Sequence, residues 1–126
     1  MSKILVVDDD LTMTNLMKAL LTMEGHQATT VNESTKAVEI AATVNPDLIT
    51  LDLMMPELTG FELCDLLRGD PRFTHIPILI VSARDDSESK ERAKAAGARE
   101  YLTKPFGVDQ LLEKVNALTA PPKTEE

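Results

Sequence analysis

Short apolar runs that end in polar side chains are the feature of this sequence that most restricts its fold. One run, residues 4–7, leads directly into three consecutive aspartates, and another, residues 48–51, leads into Asp52. A third run, residues 78–81, ends at Ser82. Continuous apolar runs of this length are typical of parallel strands that are buried on both faces. Ligands bind at the carboxyl ends of such strands, so the sequence predicts an acidic site at one edge of a sheet.

A fourth run brings a lysine to the same predicted edge, because residues 101–103 end at Lys104 and Pro105. Carboxylates that lie close together repel, by roughly 4 kcal/mol for two charges about 4 Å apart at an effective dielectric near 20. A cluster of this kind needs cations to offset the repulsion. We therefore interpret the acids as a functional site and expect a cation to accompany them.

Length and composition exclude several classes of protein. A chain of 126 residues is predicted to form one domain with a single core. The net charge of −8 argues against direct binding to nucleic acid or to an acidic membrane surface. No apolar stretch approaches the roughly 18 residues of a membrane span. Cys64 is the only cysteine, which is typical of a reducing cytoplasm, and we predict that it packs in the core.

Helical patterns alternate with the apolar runs. A short β-branched run at residues 27–31 adds a fifth strand, and apolar spacing predicts five helices, over residues 11–24, 34–44, 61–68, 85–97 and 108–118. Asp10 and Ser34 are the predicted N-caps of the first two helices. Five successive βα units predict a doubly wound, flavodoxin-like α/β fold with a five-stranded parallel sheet. The strand order 2-1-3-4-5 would bring Asp8, Asp9 and Asp52 into one crevice.

Such a crevice suits phosphoryl transfer. Clustered carboxylates can hold Mg²⁺, and an aspartate beside the ion can attack phosphorus. The reaction otherwise needs positioning and charge neutralisation, which Lys104 and the Ser82 hydroxyl would supply from neighbouring strand ends.

Four separated motifs give the sequence a family resemblance. They are Val6-Val7-Asp8-Asp9, Asp52-Leu53-Met54-Met55-Pro56 followed by Gly60, Ser82-Ala83, and the run from Tyr101 to Phe106. In this order and at these separations they resemble the receiver domain of two-component response regulators, of the chemotaxis-regulator type. The resemblance covers residues 2–119 and leaves residues 120–126 as a polar tail.

The resemblance implies roles for individual residues at the acidic site. Asp52 would accept a phosphoryl group from a sensor histidine kinase or a phosphotransfer protein. Asp9, Asp52 and the backbone carbonyl of Met54 would ligate Mg²⁺, and Asp8 would act mostly through water. Lys104 would pair with the phosphoryl charge.

The resemblance also implies a switch. Ser82 would hydrogen-bond the phosphoryl group, Tyr101 would be the aromatic side chain that turns inward, and the Lys104–Pro105 peptide bond would be cis. The protein would then be a signalling switch that catalyses its own phosphorylation and dephosphorylation, not a conventional enzyme.

The output surface in this family is formed by the fourth helix, the fifth strand and the fifth helix. Some relatives form homodimers there through acids just before the switch aromatic and bases on the last helix. Glu100 and Lys114 fit that pattern, but Arg99 does not. Docking of a monomer on a downstream protein target and homodimerisation therefore both stay open.

The acids also allow two other interpretations. Asp8-Asp9-Asp10-Leu11-Thr12 resembles the nucleophile motif of haloacid-dehalogenase phosphatases, in which Asp8 would attack and Asp10 would act as acid and base. That interpretation leaves Asp52 and Lys104 unexplained. A flavodoxin-like nucleotide binder would need a loop after the first strand that attracts phosphate, whereas here that loop is acidic.

Overall fold

The described residues, 2–120 of a computed structural model, form alternating strands and helices in five βα units. The elements are β1 (Lys3–Val7), α1 (Leu11–Met23), β2 (Gln27–Val31), α2 (Ala37–Val44), β3 (Leu48–Leu51), α3 (Gly60–Arg68), β4 (Ile78–Ser82), α4 (Ser87–Ala95), β5 (Glu100–Thr103) and α5 (Val108–Thr119). Residues 121–126, which make up nearly all of the predicted polar tail, lie outside the described residues.

The strands form one parallel sheet in the order β2-β1-β3-β4-β5. β1 lies between β2 and β3, and Val7 is in register with both Val31 and Leu51. At the other side of the sheet, Ser82 is in register with Thr103. The predicted doubly wound fold and strand order are therefore confirmed, and β1 and β3 end side by side.

Helices cover both faces of the sheet, which explains why the central strands show no alternation of polar and apolar residues. On one face, side chains of α2, α3 and α4 pack against the sheet and bury Phe73 and Ile76 among them. On the other face, α1 and α5 contribute Met17, Leu21 and Leu111. All four residues of β3 and all five of β4 are buried.

The start of α2 differs from the prediction. Ser34 opens a short 3₁₀ turn, Ser34–Lys36, before the helix, and its side chain makes no cap hydrogen bond. Its buried hydroxyl donates instead to the carbonyl oxygen of Pro56, at 3.1 Å. The prediction of Ser34 as the N-cap is therefore wrong, because a tertiary contact with the loop after β3 takes the hydroxyl.

Gly60 sets the distance between α3 and the loop after β3. A Cβ atom at this position would lie 2.7 Å from the Cα of Leu53 and would also overlap the carbonyl oxygen of Asp52. The amide of Gly60 donates to the carbonyl oxygen of Leu53 at 3.1 Å. Only glycine permits this approach, so Gly60 holds the start of α3 against the backbone that carries Asp52.

None of the helices within residues 2–120 combines the length and the apolar character that crossing a membrane requires.

Candidate functional site

The first acidic residues follow β1 directly. Asp8 is buried, and its Oδ1 accepts a hydrogen bond from the amide of Asp10 at 2.9 Å. Asp9 is exposed. Asp10 is the N-cap of α1, as predicted, because its Oδ1 accepts from the amides of Thr12 and Met13 at 3.0 and 3.3 Å. The three consecutive aspartates therefore have three different surroundings. The carboxylate of Asp10 already accepts hydrogen bonds from the first turn of α1.

Asp52 follows β3 and lies next to the end of β1. Its amide donates to the carbonyl oxygen of Val7 at 3.1 Å, and the residue is 7% exposed. Oδ1 accepts a weak hydrogen bond from the amide of Met54 at 3.2 Å. The carboxylate is thus held at the edge of the sheet while its second oxygen, Oδ2, faces Lys104.

Lys104 joins the two buried aspartates. Its Nζ lies 2.6 Å from Oδ2 of Asp8 and 3.4 Å from Oδ2 of Asp52, and only 14% of its side chain is exposed. The backbone amide of Lys104 donates to the carbonyl oxygen of Ser82 at 2.8 Å, and the Lys104–Pro105 peptide bond is cis. A single ammonium group therefore neutralises part of the charge of two carboxylates that come from different strands.

The electrostatics follow from this crowding. Burial raises the pKa of Asp8, and the charge of Asp52 acts in the same direction, while the hydrogen bond from Lys104 opposes both. Burial tends to lower the pKa of Lys104, but the hydrogen bond to Asp8 and the charge of Asp52 outweigh it, so that pKa is raised. Lys104 consequently stays charged, and the native site holds a proton on Asp8 more strongly than an exposed aspartate would.

The carboxylates of Asp8, Asp9 and Asp52 can serve one metal ion. Each offers an oxygen atom, and these atoms lie within 4.8 Å of one another. Mg²⁺ binds oxygen at about 2.0–2.1 Å, so two ligands on opposite sides of the ion are roughly 4.2 Å apart. The chemistry of the donor set is therefore compatible with Mg²⁺, and any two oxygens farther apart than this would have to move closer to share the ion. The predicted part of the Met54 carbonyl in this set, and a water between Asp8 and the ion, stay predictions.

Ser82 and Tyr101 are linked through one residue. Ser82 is fully buried at the end of β4, and its Oγ accepts from the amide of Arg84 at 3.3 Å. The Tyr101 hydroxyl donates to the carbonyl oxygen of Arg84 at 2.6 Å. Burial raises the pKa of Tyr101. The backbone of Arg84 thus connects the predicted phosphoryl partner on β4 with the predicted switch residue on β5.

Two residues beside the site could not be singled out from the sequence. The side chain of Asn32, just after β2, donates to the carbonyl oxygen of Asp8 at 2.9 Å. The guanidinium of Arg84 approaches the sulfur of Met54, with Nη1 3.8 Å from Sδ. Neither residue carries a sequence signal, because a lone asparagine or arginine after a strand is usually a loop residue.

Cys64 is a core residue, as predicted. Its Sγ donates to the carbonyl oxygen of Ala96 at 3.3 Å, and burial raises the pKa of the thiol to about 11. The thiolate is the nucleophilic form of cysteine, so this side chain is chemically inert near neutral pH.

The fold and site define a flavodoxin-like α/β protein whose acidic edge contains one lysine. The family model for the response regulator receiver domain matches residues 4–116. The chain therefore belongs to the response regulator receiver domain family, and the family resemblance seen in the sequence is confirmed.

Relatives of two kinds are similar to this chain. The DNA-binding dual master transcriptional regulator RpaA from Synechocystis is 39% identical over 94% of this chain but over only 49% of its own length. The response regulator MprA from Mycobacterium tuberculosis is similarly matched over 53% of its length, so the chain spans about half of these relatives. Protein PilH from Pseudomonas aeruginosa is 37% identical over 95% of this chain and is matched over 99% of its own length.

Solved structures agree with this assignment. The chemotaxis protein CheY4 from Vibrio cholerae has a TM-score of 0.89 and 30% identity, covering 94% of this chain and 98% of that one. The BeF3-activated receiver domain of RstA from Klebsiella pneumoniae also has a TM-score of 0.89, with 28% identity, covering 94% and 99% of the two chains.

Proposed function

We propose that Asp52 is the phosphoacceptor of this receiver domain and takes its phosphoryl group from a phosphohistidine of a sensor histidine kinase or phosphotransfer protein. The observation that carries the proposal is the position of Lys104, whose ammonium lies between Asp52 and Asp8. An ammonium at this place can neutralise charge that arrives on Asp52. The dehalogenase alternative gives Lys104 no role and needs Asp10 as acid and base, although Asp10 caps α1.

The transfer is a single displacement at phosphorus. An oxygen of Asp52 forms a bond to phosphorus, the bond from phosphorus to the donor nitrogen breaks, and its electron pair returns to the imidazole ring. Asp9, Asp52 and the carbonyl of Met54 would hold Mg²⁺, with Asp8 beside it, and the ion would supply charge neutralisation at the phosphoryl oxygens. Water attacking the same phosphorus would return the free carboxylate, so phosphorylation and dephosphorylation would occur at one site.

A small phosphodonor tests the proposed chemistry directly. With acetyl phosphate and millimolar Mg²⁺, the wild-type chain is expected to gain one phosphoryl group, because Asp52 supplies the nucleophile. Intact-protein mass spectrometry measures the gain, and a parallel sample with excess EDTA is the control. Equal labelling with and without EDTA would contradict the proposed role of the metal, and no labelling in either sample would contradict the proposed function.

The downstream effect would travel through Ser82 and Tyr101. A phosphoryl group adds roughly −1.5 to −2 charge at pH 7, which attracts the Ser82 hydroxyl and Lys104. Because the backbone of Arg84 contacts Ser82 on one side and Tyr101 on the other, a shift of Ser82 would change the contact that holds the tyrosine. Hydrogen bonds to charged groups contribute about 1.5–3 kcal/mol each, enough to shift a two-state population.

Ser82→Ala is expected to bind the phosphoryl mimic beryllofluoride but to lose most of the amide shift changes of β5 and α4 that wild type shows. The hydroxyl that links the phosphoryl group to Arg84 is then missing. Two-dimensional NMR with and without beryllofluoride measures the response. Ser34→Ala, which also removes a buried hydroxyl with one hydrogen bond, is the matched control and should respond as wild type. If beryllofluoride shifts the amide signals around Tyr101 as much in Ser82→Ala as in wild type, the proposed coupling between Ser82 and Tyr101 is contradicted.

The output surface would be the face of α4, β5 and α5. An open groove of about 510 Å³ lies there, between α4 and β5, and Tyr101 is one of the residues that line it. Glu100 is already paired with Lys114 of the same chain, at 2.9 Å, and Arg99 is exposed beside it. An acid that is paired internally is less available to a second subunit, which favours a downstream protein target over a homodimer.

We also propose that the receiver domain spans residues 2–119 and that the protein is located in the cytoplasm.

A further inference from the structure

Asn32 ties the end of β2 to the loop that carries the acidic residues. Its side-chain Nδ2 donates to the carbonyl oxygen of Asp8 and to Oγ1 of Thr14, both at 2.9 Å. Thr14 is fully buried in the first turns of α1, and its own hydroxyl donates to the carbonyl oxygen of Leu11 at 3.1 Å. Three segments, the end of β2, the end of β1 and the start of α1, therefore meet at one amide group.

The chemistry of these contacts requires an NH₂ group at position 32. The carbonyl of Asp8 can only accept, and the hydroxyl of Thr14 acts as an acceptor toward Asn32 because its proton points to Leu11. An asparagine side chain supplies two donors from one atom. An apolar side chain of the same size would fill the space and supply none.

The bond to Asp8 has a consequence for Asp9. The carbonyl of Asp8 belongs to the peptide unit that joins Asp8 to Asp9, so fixing this oxygen fixes the direction in which the chain leaves toward Asp9. The amide of Asp8 is held as well, by the carbonyl oxygen of Val31 at 3.0 Å. Among the described residues, no hydrogen bond or salt bridge reaches the carboxylate of Asp9, so the backbone is what directs this side chain toward the other two acids.

We infer that Asn32 is a positioning residue for the metal site: it orients the Asp8–Asp9 peptide so that the exposed carboxylate of Asp9 lies near those of Asp8 and Asp52. The inference rests on the proposed function, because it concerns the Mg²⁺ that the acidic cluster would hold. Groups that orient metal ligands typically change metal affinity by 10- to 100-fold when they are removed.

Asn32→Leu is therefore expected to bind Mg²⁺ about tenfold more weakly than wild type. Thr14→Val, which removes the second acceptor of Asn32 and keeps the side-chain shape, should show a smaller fall. Asn15→Leu is the matched control, because Asn15 is exposed on α1 next to Thr14 and its side chain makes no hydrogen bond among the described residues. Isothermal titration calorimetry with MgCl₂ gives the dissociation constants. In NMR spectra recorded without metal, the amide signals of Asp9 and Asp10 should shift from their wild-type positions in Asn32→Leu and Thr14→Val but not in Asn15→Leu.

The outcomes separate this inference from the proposed function. If wild type binds Mg²⁺ and folded Asn32→Leu binds it with the same dissociation constant, the inference is overturned but the proposed function is not. Absence of Mg²⁺ binding by wild type overturns both. If Asn32→Leu does not fold, Thr14→Val decides: weaker binding than Asn15→Leu supports the inference, and equal binding overturns it.

Discussion

Asp52→Asn is expected to take up no phosphoryl group from acetyl phosphate under conditions in which wild type gains one. Asparagine has nearly the same shape as aspartate, and its carbonyl oxygen can still accept from the amide of Met54, so the loop after β3 keeps its conformation. The amide, however, has no anionic oxygen to attack phosphorus. The expected loss is complete, because the whole reaction passes through this one carboxylate.

Matched substitutions at the other aspartates separate the competing mechanisms. Asp8→Asn keeps the proposed nucleophile and should still be labelled, more slowly, because Asp8 contributes to the charge balance around Lys104 and to the acidic cluster that would hold Mg²⁺, but does not attack phosphorus. Asp10→Asn should be labelled as wild type, because asparagine is as good an N-cap as aspartate. Labelling of Asp52→Asn together with loss of labelling in Asp8→Asn would make Asp8 the nucleophile and would favour the dehalogenase mechanism.

The fold was predictable because its signals are local and repeated. Residues 4–7 and 78–81 are apolar throughout and residues 48–51 are apolar except for Thr50, so none of these runs alternates. Burial on both faces is what a central parallel strand requires. The residues of β2 are mixed, and most of them are only half-buried at the edge of the sheet. Its prediction depended on its short β-branched composition, not on a continuous apolar run.

The acidic site was predictable for a topological reason. The βα alternation predicts a doubly wound parallel sheet, and among the doubly wound orders 2-1-3-4-5 places the ends of β1 and β3 side by side, which brings Asp8 and Asp52 together. Lys104 was expected at the same edge because it follows the apolar run at residues 101–103, and the family resemblance added its role toward a phosphoryl group. Its roles toward a phosphoryl group, like those of Ser82 and Tyr101, stay predictions.

Contacts made by single polar side chains across loops could not be predicted. Ser34 follows a strand and precedes a helical pattern, which is the usual setting of an N-cap, yet its hydroxyl bonds to Pro56 in another loop. Asn32 has no periodicity or motif, and its two acceptors are 24 and 18 residues away. Such contacts depend on how loops approach each other in three dimensions, and a single sequence contains no local record of that.

Lys104→Met is expected to lower the free energy of unfolding of the metal-free protein by about 3 kcal/mol near pH 7, because removing one partner of a buried ion pair typically costs 3–5 kcal/mol. Methionine has a similar length and leaves little empty space. It provides no positive charge, however, so the carboxylates of Asp8 and Asp52 would face each other without their shared ammonium. Both carboxylate side chains are less than a tenth exposed, so water screens this repulsion poorly.

The loss should depend on pH with a defined sign. Burial already raises the pKa of Asp8 in the native protein, and without Lys104 that pKa rises further. A native state that holds a proton more strongly than the unfolded chain gains stability at low pH and loses it as pH rises through the native pKa. The difference between Lys104→Met and wild type should therefore shrink as the pH falls toward 5.

Urea unfolding in EDTA, near pH 7 and near pH 5, measures both effects. Lys114→Met is the matched control: its ammonium contacts Glu100 at 2.9 Å, but both side chains are substantially exposed, and exposed pairs contribute about 0.2–1 kcal/mol. Adding Asp8→Asn to Lys104→Met should recover much of the lost stability, because the unpaired buried charge is then gone. A loss in Lys104→Met no greater than that in Lys114→Met would show that the ammonium between Asp8 and Asp52 does not stabilise the acidic edge.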